Sequence, residues 1–176
     1  MRRIASRRRV KAALAAFALL LSVVSARLYV WPASDRPAPS GLVVVLGSAF
    51  KGDRLEVAAQ LASSNRTLLV STLRTCSQGY RGRFRAYQKV VCFRADPLTT
   101  RGEARYASEY AKKGGFSDIT VITTADQVWR ARVRFERCTT ARVHVVEARD
   151  SRWKVISRVP YELGATVKAL VWQRAC

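Results

Sequence analysis

The chain has 176 residues, 49% of them hydrophobic and 25% charged, and carries a formal net charge of +20 with an isoelectric point near 11.1. This length suffices for one domain with its own core, and the composition excludes wholesale disorder and a multi-span membrane protein. The charge would suit a nucleic-acid partner, but the arginines are scattered and no nucleic-acid-binding motif spacing occurs, so we do not expect nucleic acid to be the partner.

The first 31 residues predict a membrane segment. Residues 1–11 form a basic, cytoplasmic segment, and residues 12–31 begin with an uncharged apolar run, AALAAFALLLSVVSA. Residues 12–31 are long enough to cross a bilayer if the side chain of Arg27 snorkels to the interface. Tyr29 and Trp31 would then lie at the outer headgroup level, as interfacial aromatic residues do. This pattern predicts a signal anchor of a single-pass cell-membrane protein.

A cleaved signal peptide is the alternative interpretation of the same segment. The apolar run is short for a complete span, and residues 24–26 (VSA) fit the small-residue cleavage pattern. The protein would then be secreted as a chain that starts near Arg27. Both interpretations place the domain on the extracytoplasmic side.

Residues 32–41 (PASDRPAPSG) are rich in proline, alanine and serine, which favours an extended linker before a domain at 42–176. In that domain, five apolar runs predict strands at 42–46, 67–71, 90–93, 119–122 and 142–146. The first run, LVVVL, is continuous rather than alternating, as in strands buried on both faces of a parallel sheet. Strands that alternate with helical patterns predict an α/β, Rossmann-like three-layer fold with an open, mainly parallel five-stranded sheet.

The helical patterns between the strands carry start signals. Thr100 with Glu103, and Thr124 with Gln127, have the spacing of capping boxes at helix N-termini. Asp53 is the expected N-cap of an earlier helix. The last helix is identified by its apolar residues, Leu163, Val167, Leu170 and Val171.

The turns that follow the predicted strands indicate a binding site. Ligands of open parallel sheets bind outside the carboxyl ends of the strands, where helix N-termini point. The residues there are glycine, serine and threonine, with arginines close behind: Gly47, Ser48, Ser71, Thr72, Thr99, Thr100, Thr123 and Thr124, then Arg54, Arg101 and Arg130. Such groups suit a phosphate, a carboxylate or a nucleotide-like ligand. The alternative is that the serines and threonines are only helix caps.

Signals for catalysis are few. The single histidine, His144, lies inside a predicted strand, and the sequence has no Cys/His metal-ligand spacing, Walker loop or complete dinucleotide fingerprint. A serine nucleophile would have no histidine base. Because the Cys/His spacing is absent, we expect no metal. Glu103 is the one acid/base candidate, and we therefore favour binding over catalysis.

Four segments carry a resemblance to a known family: VVVLGS, LLVS, ADPLTTRGEARYASEYA and ITTADQVWRARVRFERC. The last two are the most specific. Together they resemble the YdcF-like family of bacterial envelope proteins, and the resemblance covers roughly 42–174. The ending YELGATVKALVWQRAC resembles a branch of the family with an acidic residue and small residues at the start of its final helix. The resemblance implies a Rossmann-like fold, N-terminal anchoring, a role in cell-envelope or cell-wall homeostasis and a possible S-adenosylmethionine-like ligand.

The resemblance also singles out Gly47, Thr100, Glu103 and Arg130 as motif positions. Where the family often has histidine, this chain has Gln127, which cannot exchange a proton near neutral pH. We therefore expect a small anionic or nucleotide-like ligand at these residues together with Ser48 and Thr124. Two alternatives stay open: a hydrolase or transferase acting on envelope precursors, and a non-catalytic basic scaffold at the membrane surface. Arg130 would either contact the ligand or only pair with Glu103 or another carboxylate.

The four cysteines, Cys76, Cys92, Cys138 and Cys176, are an even number in a domain expected outside the cytoplasm. An oxidising compartment predicts disulfides. The most economical pairing joins Cys76 to Cys92 and Cys138 to Cys176, and buried free thiols are the alternative.

Overall fold

A computed structural model of the protein describes residues 2–47, 53–72 and 82–176. The helices are α1 (Arg2–Tyr29), α2 (Arg54–Gln60), α3 (Thr100–Gly114), α4 (Val128–Cys138) and α5 (Arg152–Val171). The strands are β1 (Gly41–Val45), β2 (Arg66–Ser71), β3 (Lys89–Phe93), β4 (Asp118–Thr124) and β5 (Arg142–Ala148). A short 3-10 helix, Ala125–Gln127, joins β4 to α4.

The strands form one sheet in the order β3-β2-β1-β4-β5, and every neighbouring pair is parallel. The predicted α/β class and the open five-stranded parallel sheet are confirmed. The chain first builds outward from β1 to β3 and then crosses over to add β4 and β5 on the other side of β1. The strand order therefore reverses between β1 and β4, which is where parallel sheets of this kind leave a crevice at the strands' carboxyl ends.

Side chains on both faces of β1 are apolar and must be shielded from water, and helices accordingly cover both faces of the sheet. Leu42, Val44 and Leu46 pack in the core under α3 and α4, whereas Val43 and Val45 pack on the opposite face with α2. All five side chains are at most 1% exposed. The interpretation of 42–46 as a segment buried on both faces is thus confirmed.

The segment 32–40 contains no helix or strand and lies along the free edge of β5. The N–H of Asp35 donates to the carbonyl of Val145, and the N–H of Val145 donates to the Asp35 carboxylate, both at 2.8 Å. Ser34 Oγ accepts from the N–H of Glu147, and Ala38 is buried. These contacts protect an edge strand that would otherwise present unpaired backbone groups.

Helix α1 contains a stretch, Arg8–Tyr29, that is long and apolar enough to cross a membrane. Its 22 residues span roughly 33 Å as a helix, close to the thickness of a hydrocarbon core. A signal sequence has the same length and composition, so the choice between anchor and cleaved signal stays a prediction. The domain buries Tyr29 to 1% exposure, whereas Trp31 is 55% exposed, and the place of both residues at the outer headgroup level stays a prediction.

Helix α5 starts earlier in the chain than the resemblance implies. It is also rotated away from the orientation that its apolar residues predict. It begins at Arg152, and the residues that identified it in the sequence are 39% to 52% exposed: Leu163, Val167, Leu170 and Val171. The side turned inward carries Val155, Glu162, Thr166 and Ala169. The reason is an ion pair between the carboxylate of Glu162 and α4, which fixes the rotation of the helix against its apolar pattern.

The disulfide between Cys138 and Cys176 is formed, as predicted. It joins the end of α4 to the C-terminus of the chain. Cys92 on β3 is also disulfide-bonded. Its predicted partner, Cys76, lies outside the described residues, so that pairing stays a prediction.

Candidate functional site

A cavity of about 360 Å³ opens at the carboxyl end of the sheet. Of the predicted ligand-binding residues, Gly47, Thr100, Glu103, Gln127 and Arg130 line it. Thr124 is fully buried nearby, and Ser48 lies outside the described residues. The rest of the lining comes from the turns after β2 and β3 and from α5: Ser71, Thr72, Ala95, Leu98, Thr99 and Tyr161.

The first predicted capping box is wrong, and the side chain of Glu103 has another partner. The N-cap of α3 is Thr99, whose extended backbone and hydroxyl, accepting from the N–H of Gly102 at 3.4 Å, are those of a cap. Glu103 is therefore one residue too far along the helix to reach back to the cap. Its Oε1 instead accepts from the N–H of Gly47, 2.5 Å away, in the turn after β1.

The second predicted capping box is also wrong. Thr124 makes no side-chain cap bond; its Oγ1 accepts from Nη2 of Arg54 at 2.8 Å. Gln127 Oε1 accepts from the same nitrogen at 3.3 Å and from the hydroxyl of Thr123 at 3.1 Å. Both groups bond to a guanidinium, a stronger donor than a backbone N–H.

Arg54, the first residue of α2, organises this end of the sheet although its side chain is completely buried. Its Nη1 donates to the carbonyls of Leu46 and Gly47 after β1, while Nη2 reaches the end of β4. Burial lowers the pKa of Arg54 to about 10, and the carboxylates of Glu103 and Asp126 oppose that shift. The guanidinium thus stays charged at neutral pH and cross-links β1 to β4 at the point where the strand order reverses.

Arg130 is held by a buried carboxylate. Its Nε and Nη2 donate to the two oxygens of Glu162 at 2.7 and 3.0 Å, and Nη1 donates to the hydroxyl of Thr100 at 2.8 Å. The side chain of Glu162 is 1% exposed and that of Arg130 12%. Arg130 thus has a carboxylate partner, which is Glu162 rather than Glu103, and a ligand contact of Arg130 stays a prediction.

The cavity combines groups of both charges with neutral donors and acceptors. Hydroxyls of Ser71, Thr99 and Tyr161 line it together with the carboxylate of Glu103, while Leu98 provides an apolar wall. Among the described residues, no donor bonds the second oxygen of Glu103. Such a set binds a polar molecule with hydroxyl, amine or phosphate groups better than a simple inorganic anion, because acceptors and donors alternate.

Two residues of the site, Tyr161 and Glu162, were not predicted, and the place predicted for Arg54 differs from the observed one. Glu162 carried a signal, since it is the one acidic residue in a helix with four basic ones. Tyr161 beside it carried none, because its position depends on the rotation of α5. We predicted Arg54 just behind the turns at the strand ends, whereas its guanidinium lies buried below the cavity, between the ends of β1 and β4.

Metal ligation finds no support in the part of the chain that the structure describes, where no group of three or more His, Cys, Asp or Glu side chains lies together. His144 is on β5, far along the strand from the cavity. Its Nε2 lies 3.3 Å from the carboxylate of Asp118 at the start of β4. The histidine therefore belongs to a polar cluster at the opposite end of the sheet.

Comparisons with protein-family models, with curated proteins and with solved structures gave no match for this chain. The resemblance to the YdcF-like family therefore stays a prediction, and the site is interpreted from its own geometry.

Proposed function

We propose that the chain is a membrane-tethered, extracytoplasmic domain with a Rossmann-like, YdcF-like fold that binds a small anionic or nucleotide-like ligand, in the service of cell-envelope homeostasis. The observation that carries the proposal is the orientation of Glu103, Gln127 and Thr124. Their spacing is that of capping boxes, yet none of the three side chains makes the cap hydrogen bond that this spacing predicts. They bond instead to the turn after β1 and to Arg54 around one cavity.

The chemistry of the cavity favours a nucleotide-like ligand over a bare anion. The first turn of α3 presents backbone N–H groups and the positive end of a 15-residue helix, which suit a phosphate or carboxylate. The carboxylate of Glu103 suits a sugar hydroxyl or an amine, and Leu98 suits the face of a base. The volume, about 360 Å³, lies within the range of small-molecule sites. S-adenosylmethionine, which has a carboxylate, an amine and an adenosine, meets the same requirements.

Isothermal titration of the full chain in detergent with AMP, S-adenosylmethionine and inorganic phosphate tests this proposal. Arg130→Ala alone would mislead, because it leaves Glu162 buried without a partner. The double variant Arg130→Glu, Glu162→Arg restores the ion pair and keeps the net charge of +20, so non-specific anion binding is unchanged. We expect at least tenfold weaker binding of AMP or S-adenosylmethionine with little change in melting temperature. Equal binding by the swapped variant and the natural chain would contradict the proposal.

Catalysis is the second candidate function, and it is favoured by the second oxygen of Glu103, to which no donor bonds within the described ranges 2–47, 53–72 and 82–176. One oxygen is fixed by Gly47, so the other is positioned for proton transfer. Glu103→Gln keeps an acceptor for Gly47 but cannot transfer a proton. Release of phosphate from phosphate monoesters and diphosphates that is abolished by this change, with AMP binding retained, would favour a hydrolase. If neither turnover nor binding is found, the basic scaffold is favoured instead.

A further inference from the structure

The end of the membrane helix is packed into the domain with no spacer between them. Tyr29 and Val30 are 1% and 6% exposed, and Val30 belongs to a small core cluster with Ala125 and Val155. Ala125 follows β4 and Val155 is in the first turn of α5. The point where α1 ends is therefore fixed against the carboxyl end of the sheet, the end that carries the cavity.

The start of α5 is tied to the same point. Nη1 of Arg152 donates to the carbonyl of Val30 at 2.5 Å, and its guanidinium lies 5.8 Å from the centre of the Trp31 ring. The next residue, Trp153, is 81% exposed. If α1 spans the bilayer, Trp153 lies within about one helical turn of the level at which the chain leaves the hydrocarbon.

The residues around this point form what we call the juxtamembrane collar: Arg27, Trp31, Arg152, Trp153 and Lys154. All of them are exposed. In the described part of the chain no carboxylate forms an ion pair with Arg27, Arg152 or Lys154. Asp35 pairs with Arg132 and Asp150 with Arg158, although Glu147 lies near Arg152 and Asp150 near Lys154. Exposed tryptophans next to cations that form no ion pair are the side chains that bind the headgroup layer of anionic bilayers.

We propose that the juxtamembrane collar is a second membrane contact, in which Trp153 inserts among anionic phospholipid headgroups and holds the carboxyl end of the sheet against the bilayer. This inference rests on the proposed tether through α1. We choose a lipid surface over a protein partner for two reasons. The cations of the collar complement anionic headgroups, and the collar lies directly at the end of the α1 span. The cavity then lies on the side of the domain that faces the membrane.

Quenching of tryptophan fluorescence by brominated phospholipids tests the contact in the full chain reconstituted into bilayers. Trp172 is the matched control, because it is 76% exposed and lies at the other end of α5, about 28 Å from Trp153 along the helix. Trp31 lies at the end of the span and stays quenchable in both variants. In bilayers with phosphatidylglycerol we therefore expect Trp153→Phe to reduce the quenchable emission and Trp172→Phe to leave it unchanged. Replacing phosphatidylglycerol by phosphatidylcholine, or Lys154 by Gln, should weaken the quenching of Trp153. Lys89→Gln, an exposed lysine at the amino end of β3, should not.

The same measurement distinguishes the membrane contact of the collar from the anchoring of the chain by α1. Quenching that is lost with Trp31→Phe but unchanged by Trp153→Phe keeps the tether and overturns the collar. Quenching of Trp153 no stronger than that of Trp172 also overturns the collar. A buried Trp153 that brominated lipids do not quench, and whose emission depends on the protein-to-lipid ratio, would place a second copy there and overturn it too. Absence of any quenchable emission would remove the tether itself.

Discussion

Arg54 shows at the scale of one residue how the site is built. A fully buried guanidinium is costly unless its hydrogen bonds and counter-charges are complete. Here its two terminal nitrogens bond two carbonyls after β1 and two side chains after β4, next to the carboxylates of Glu103 and Asp126, while the buried Nε has no hydrogen-bond partner among the described residues. We infer that Arg54 shapes the floor of the cavity without having to touch the ligand.

Replacing Arg54 by methionine should therefore destabilise the domain strongly. We expect the free energy of unfolding to fall by about 3 to 5 kcal/mol, because the change leaves the buried carboxylate of Glu103 without this counter-charge, whereas Asp126 keeps its ion pair with Arg158. Urea unfolding in detergent measures it. Arg83→Met is the control, since Arg83 pairs with Glu56 at the exposed surface and its loss should cost less than about 1 kcal/mol. Equal losses in the two variants would contradict the role given to Arg54.

A second residue, Asp118, should make stability depend on pH at the amino end of the sheet. Its pKa is lowered from 3.8, first by a hydrogen bond from Ser117 and then by Arg142 and His144, against the opposing effect of burial. A carboxyl with a lowered folded pKa stabilises the fold above its ordinary value and loses that contribution as the pH falls through the lowered one.

The natural chain should accordingly be more stable than Asp118→Asn at neutral pH, and the difference in melting temperature should shrink below pH 3.8. Thermal unfolding over a pH series measures this difference. A gap that stays constant or widens on acidification would show that Asp118 acts through packing alone.

At the scale of elements, the strands could be predicted because burial on both faces leaves an uninterrupted apolar run, as in LVVVL of β1. The residues around the cavity could be predicted for the same reason, since the turns after parallel strands all lie at one end of the sheet. The partners of Glu103 and Gln127 could not be predicted, because a capping box and a tertiary hydrogen bond need the same residue types. A shift of one residue in the N-cap, from Thr100 to Thr99, decided between them.

The rotation of α5 was not predictable from its apolar pattern for a related reason. The pattern selects the side with Leu163, Val167 and Leu170, yet that side is exposed. The ion pair between Glu162 and Arg130 and the disulfide of Cys176 hold the helix in the other rotation. Both are contacts between distant parts of the chain, which periodicity within one helix does not encode.

The disulfide between Cys138 and Cys176 should be a major contributor to the stability of this helix pair. For a sequence separation of 38, loop-closure entropy gives about 4 kcal/mol. The double variant Cys138→Ser, Cys176→Ser should lose stability on that order in urea unfolding. It should still fold, because Arg134 bonds Gln173 independently. A loss below about 1 kcal/mol would show that the unfolded chain gains little conformational entropy when this cross-link is removed.

At the scale of the whole molecule, we propose that the domain lies outside the cell on a single span. A tag after Cys176 should be accessible from outside intact cells, and the protein should remain in the membrane fraction after a salt wash. Release of a soluble chain that starts near Arg27 would favour the cleaved signal and leave export in place. Recovery of the untreated protein in the cytosol would contradict export.

A crystal structure of the chain soaked with AMP tests whether the carboxyl end of the sheet holds the ligand, as proposed. We expect density in the cavity, with the phosphate at the first turn of α3 beside Thr100 and the base against Leu98. A chain with a net charge of +20 has many other places for an anion. Density for AMP at surface arginines only, with the cavity empty at a saturating concentration, would contradict the claim.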